Sequence, residues 1–187
     1  MITRDKALEL LHGKMQSVNL RKHCYGVEAV MRALADHFKE DGEKWGIVGL
    51  LHDGDYEFTK EDPGNHAKLM SGWVKELGET DGELLTGIES HGWFHEGKLP
   101  KTRMQWALYC CDELTGLIVA VTLIRPTKKL KDVTVENILD KWSQKSFAAG
   151  VDRSQIEKCD KELGIPLNEF IKIALTAMQG ISEELGL

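Results

Sequence analysis

The sequence predicts an all-α fold in one domain, on three observations. Apolar residues recur at three- and four-residue steps along most of the chain, and no convincing alternating run of the kind a half-buried strand needs is present. Capping residues and Gly or Pro breaks punctuate those stretches. Finally, 187 residues with 42% hydrophobic content suffice for one well-filled core, and no repeat, low-complexity tract or linker divides them.

Taken in order, Thr3 to about Met15 reads as a first helix capped by Thr3, with Ala7, Leu8, Leu10 and Leu11 on its apolar face. His12 suits the negative end of that helix and is expected to face solvent. Asn19 to Lys39 is a long second helix with Asn19 as its expected N-cap. Leu20, His23, Val27, Val30, Met31, Leu34 and Phe38 share one face, so His23 falls on the buried side, while His37 reads as surface.

Glu43 to Asp53 forms the third helix, within the run Gly46-Ile-Val-Gly-Leu-Leu-His-Asp-Gly-Asp-Tyr56. An imidazole and a carboxylate at the end of so apolar a helix, His52 and Asp53, are costly to desolvate without a partner. A divalent cation is one natural partner; a helix terminus facing water is the alternative. Asp55, Tyr56 and Glu57 follow in a loop, and Glu61-Asp62-Pro63-Gly64 makes a turn. Asn65 is expected to cap a fourth helix through about Leu77, with His66 as its first residue. Thr80 to Ser90 is the fifth helix, ending at His91-Gly92, and His95 follows in the loop to Pro100. Of these two histidines His91 is the better ligand candidate, because a rigid element positions it.

Lys101 to Leu123 contains the sixth helix, whose only charged residues between Arg103 and Arg125 are Asp112 and Glu113. A helix apolar on nearly all sides is central to a fold, and a carboxylate within it needs a cation or several donors. Two adjacent acids cannot easily face one site, so one of them is expected to do something ordinary. Gly116, one turn after Asp112, would let another backbone or a ligand come close. Arg125, Lys128 and Lys129 lie in the loop after this helix. Lys145 and Arg153 flank the compact Phe147-Ala-Ala-Gly-Val151 turn. All five are candidates for binding phosphate, with solvated loops as the alternative reading. Val133 to Gln144 and Asp152 to Leu163 read as two short helices, and Pro166 starts the last, through Leu185.

Composition narrows the function classes. A net charge of -6 without a basic block argues against unaided nucleic-acid binding, though not against small anions. The N-terminus lacks a signal-peptide apolar region, and no apolar run approaches the ~20 residues of a membrane span. Cys24, Cys110, Cys111 and Cys159 form no C-x-x-C pair, which fits reduced thiols and a cytoplasmic protein. Neither a G-x-S-x-G elbow nor a P-loop is present.

The helix-borne candidates stand in the order His23, His52-Asp53, His66, His91, Asp112. This H…HD…H…H…D order in an all-helical chain, with Gly-Leu-Leu-His-Asp and Tyr-Cys-Cys-Asp-Glu-Leu as contexts, resembles the HD-domain metal-dependent phosphohydrolase superfamily over about residues 19 to 125. The common Ile-Gly-Lys continuation is replaced by Gly54-Asp55-Tyr56. The resemblance implies a helical bundle of the HD-domain type spanning residues 1–187, with residues 126–187 packed on the motif core. It implies that His23, His52, Asp53 and Asp112 hold one divalent ion, of Mn, Fe, Co, Ni, Zn or Mg. Asp53 would bridge to a second ion held by His66 and His91. Activated water would then cleave a phosphomonoester or phosphodiester of a nucleotide or other small molecule, with Asp53 and Asp55 as catalytic groups. A mixed-valent di-iron oxygenase of the same superfamily and a non-catalytic metal-binding domain are the alternatives.

Overall fold

The structure, a computed structural model, describes residues 1–92 and 99–187. Among the described residues every regular element is helical: α1 (Arg4–Lys14), α2 (Val18–Phe38), α3 (Gly42–Leu51), α4 (Tyr56–Thr59), α5 (Lys68–Glu76), α6 (Gly82–Glu89), α7 (Arg103–Leu123), α8 (Val135–Leu139), α9 (Arg153–Ile156), α10 (Leu167–Gly180) and α11 (Ser182–Leu185). Short 3-10 turns at Pro63–Asn65, Ser90–Gly92 and Leu130–Asp132, and a π turn at Cys159–Leu163, link them.

Helix α2 is the hub and packs against α3, α7 and α10. Its buried stripe includes Cys24, Val27, Val30, Met31 and Leu34, as its apolar spacing requires. The α2–α3 approach is close because Gly49 has no side chain. A Cβ there would lie 3.0 Å from the Val27 carbonyl oxygen and 3.1 Å from Glu28 Cα. That crossing sets His23, one turn before Val27, beside His52, one residue beyond α3. Glu28 is buried in the same layer and accepts from Arg4 Nε at 2.6 Å and Arg32 Nε at 3.0 Å, tying α1 to α2.

Helix α7 runs through the core, with Leu108, Cys110, Cys111, Leu114, Leu117 and Ile118 all buried. Thr102 and Gln105 form a reciprocal capping box at its start. At 21 residues, α7 is by length and composition apolar enough to cross a membrane, contrary to the expectation that no run approaches that length. Most of that stretch is buried within the fold, so its apolar character is that of a core helix. All four cysteines are buried and free.

Several boundaries differ from the sequence expectation. Ser17, not Asn19, caps α2, its side chain accepting from Leu20 N; the chain offers two good caps two residues apart, and α2 starts at the earlier. Asn65 does not cap α5. It ends a 3-10 turn, Ala67 takes a left-handed φ of 64°, and α5 begins at Lys68. The last predicted helix breaks at Ile181 into α10 and α11, and the segments around α8 and α9 are only short helices.

Candidate metal centre

His23, His52, Asp53, His66, His91 and Asp112 come from five separate stretches of chain and meet in one cluster. His52 ends α3 and anchors itself: its Nδ1 lies 2.7 Å from the Gly49 carbonyl oxygen. A carbonyl only accepts, so Nδ1 donates there and Nε2 is the nitrogen turned toward the cluster. That Nε2 is buried without a hydrogen-bond partner, 3.4 Å from Asp112 Oδ1 and 3.8 Å from Asp53 Oδ2. A buried ring nitrogen left without a hydrogen bond beside two carboxylates is unfavourable, and a cation among them would engage all three.

The other histidines are held in the same manner. His23 Nδ1 lies 3.2 Å from Thr115 Oγ1, whose hydroxyl donates to the Asp112 carbonyl oxygen at 2.8 Å. Its Nε2 points inward, 2.8 Å from Asp112 Oδ1 and 3.9 Å from Asp53 Oδ2. His66 Nδ1 lies 2.9 Å from Asp55 Oδ1, leaving Nε2 3.1 Å from Asp53 Oδ1. His91, in the 3-10 turn after α6, sets Nε2 3.0 Å from the same Asp53 Oδ1. Asp53 thus divides its carboxylate. Oδ2 faces His23 and His52, and Oδ1 faces His66 and His91. Two sets of donor atoms lie within 4.8 Å of one another, His23–His52–Asp112 and His52–Asp53–His91.

Mutual attraction overrides burial here. Desolvation raises the Asp53 carboxyl, but His52, His91 and His66 hold it well below the usual range. Asp112 is likewise raised by burial and held low by His23 and His52. Burial lowers His66, but hydrogen bonds to Asp53 and Asp55 win and raise it to about 9. His91 also rises, against its burial, through Asp53. Imidazole and carboxylate donors that attract positive charge this strongly fit a divalent cation.

Outward-facing partners explain the rigidity. Asp55 is fully buried; it accepts from Ala67 N at 3.1 Å and Met70 N at 3.0 Å, capping α5, while its contact with His66 fixes that ring. Gly92 admits the backbone of His66: a Cβ there would lie 2.7 Å from the His66 carbonyl oxygen. Of the two adjacent acids on α7, Asp112 faces the cluster and Glu113 accepts from Asp152 N at 3.1 Å. His95 lies outside the described residues.

None of the five basic candidates lines the cavity on which His23 opens. Arg153 is spent on structure, its guanidinium donating to the carbonyls of Lys141, Gln144, Phe147, Ala148 and Val151 and so holding the turn. Arg125 is half-buried in a hollow with Asn137, Asp140 and Lys141. Lys128 and Lys129 line a second hollow with Lys131 and Glu183, and Lys145 is exposed. The cavity that opens on the cluster instead carries Lys22 and Asn19. Nothing in the sequence marked Lys22 beyond its place next to His23. Thr115 was findable in principle, three residues after Asp112 and so on the same helix face.

An all-helical fold that gathers four histidines and two aspartates from five stretches of chain defines a helical domain with groups that could hold a metal ion. Residues 20–142, more than half of the chain, match the family model for the HD domain, and the protein belongs to that family. Comparison with curated proteins and with solved structures gave no significant match.

Proposed function

We propose that the protein is a metal-dependent phosphohydrolase acting on a phosphomonoester or phosphodiester of a small molecule. The observation that carries this reading is the divided Asp53 carboxylate, set between two donor groups around the unpartnered His52 Nε2. His23, His52, Asp53 and Asp112 would hold one divalent ion, and Asp53, His66 and His91 a second. Ions held there would supply an acidified water and positive charge for phosphoryl oxygens.

The chain's own groups support that chemistry by position. Thr115, Gly49 and Asp55 hold the outer nitrogens of His23, His52 and His66, so that each Nε2 is aimed before any ligand arrives. Asp55, with both oxygens engaged, orients His66 and fixes α5. Cys24, the thiol next to His23 in sequence, is pushed well up by burial and stays protonated, so it is no competing nucleophile.

Metal analysis of purified protein with a phosphate-release screen tests the reading. D53A is expected to lose bound metal and about a hundred- to a thousandfold of turnover, the activity loss typical of removing a central electrostatic group. Metal-replete wild-type protein that is inert on every phosphoester would overturn it.

A further inference from the structure

A cavity of about 440 Å³ opens beside the metal cluster, with His23 in its wall. Its volume lies within the range of small-ligand sites. Helix α2 supplies one side, Val119 and Leu123 on α7 another, and Met178 on α10 and Leu185 on α11 close it. His23 is the most exposed of the six cluster residues, with 25% of its side chain reaching solvent, so the cluster is most open on this side.

Polar groups in this cavity are few and unevenly placed. Asn19, Lys22, His23 and Thr115 are the polar side chains among the described lining, and all but Thr115 come from the first part of α2. Thr115 is already engaged with His23 and the Asp112 carbonyl. Val119, Leu123, Met178 and Leu185 offer hydrocarbon, while Gly186 and Leu187 add backbone on the side that the Lys22 ammonium reaches. A nucleobase seated against Val119, Leu123, Met178 and Leu185 would leave the ring nitrogens and exocyclic groups on that side unpaired. An alkyl or similar apolar group would forfeit nothing and gain burial. Two glycines keep the space open. A Cβ at Gly116 would meet nothing closer than Val151 at 3.9 Å, and one at Gly26 would meet Met178 at 3.5 Å.

We propose that this cavity holds the organic group of the substrate, and that the group is apolar rather than a nucleobase. Lys22, whose ammonium lies against Gly186 in the cavity wall, takes an anionic oxygen of the same molecule. The inference rests on the hydrolase reading for the word substrate, but the cavity's preference is measurable without turnover.

Binding of methyl-, butyl- and octylphosphonate to manganese-loaded protein is measured by calorimetry. Affinity is expected to rise severalfold per added methylene until the cavity is full, following the burial of hydrocarbon. G116L, which projects into the cavity, is expected to abolish that rise while methylphosphonate affinity and bound manganese stay unchanged. V119F, on the same wall, serves should G116L fail to fold. Equal binding of all three phosphonates, no binding of any, or loss of methylphosphonate binding in both variants overturns the inference. Phosphate release from methyl and octyl phosphate is measured in parallel. Protein inert on both but selective for long phosphonates keeps the cavity assignment and sinks the hydrolase reading; turnover indifferent to chain length does the reverse.

Discussion

At the scale of single residues, His23, His52 and His66 are each held at one ring nitrogen and presented to the cluster at the other. His66 shows the consequence for pH. Its pKa is raised to about 9 by Asp53 and Asp55 against the opposing effect of burial. A raised histidine stabilises the metal-free fold fully below its unfolded value, about 6.5, and that contribution is lost as pH climbs through about 9. Asp53, held low, acts in the opposite sense: its stabilisation is present above the usual carboxylate range and is lost as pH falls through its depressed value. A cation binding His66 Nε2 displaces the proton held there. Apparent metal affinity is therefore expected to climb between pH 6.5 and about 9, with proton release visible as a buffer-dependent heat in calorimetry. Affinity that is flat over that window would show that His66 is not displaced by the ion. His23 and Asp112 were legible because His and Asp are rare on apolar helix faces, where each needs a partner, whereas His52, Asp53, His66 and His91 lie at or beyond helix ends and were legible from their order along the chain. Asp55 was harder to place, since its role is to cap a helix twelve to fifteen residues onward, a contact no local pattern encodes.

At the scale of elements, glycines decide how closely the pieces approach. Gly92 lets the turn carrying His91 lie against the backbone of His66. G92A forces a displacement there, because a Cβ 2.7 Å from a carbonyl oxygen cannot be accommodated by rotating a side chain. The expected result is a loss of about 1–3 kcal/mol in stability and at least tenfold in metal affinity, read by thermal unfolding and metal titration. Gly72, within α5, is the control. A Cβ there meets nothing within 4 Å, and G72A is expected to leave metal binding intact and gain about 0.5–1 kcal/mol from helix entropy. Equal effects of the two substitutions would mean that the α6 turn does not position His91. The longer helices were readable from apolar spacing, but the one-turn α4, Tyr56–Thr59, stands where a loop was expected, too short to show a period. Helix ends were less readable, as Ser17 and Asn19 show: both are good caps, and local chemistry does not rank two candidates so close together.

At the scale of the molecule, α2 and α7 are the two long core helices, and each carries cluster residues on a face that is otherwise apolar. The core therefore both excludes water from the cluster and fixes the spacing of His23 and Asp112, which are 2.8 Å apart across the two helices. The same two helices enclose the apolar cavity, so ligand cluster and cavity share one scaffold. The basic candidates illustrate what a sequence cannot supply at this scale. Arg153 and Lys145 flank one turn, yet one is consumed by backbone carbonyls and the other faces solvent, a difference set by how the chain folds back.

Crystals grown with zinc and measured across the zinc absorption edge test the central claim most directly. The expected result is anomalous density within about 2.0–2.2 Å of His52 Nε2 and of an Asp53 or Asp112 carboxylate oxygen, absent from crystals of D53A. Zinc bound only at other residues, with His52 Nε2 still unligated, would contradict it.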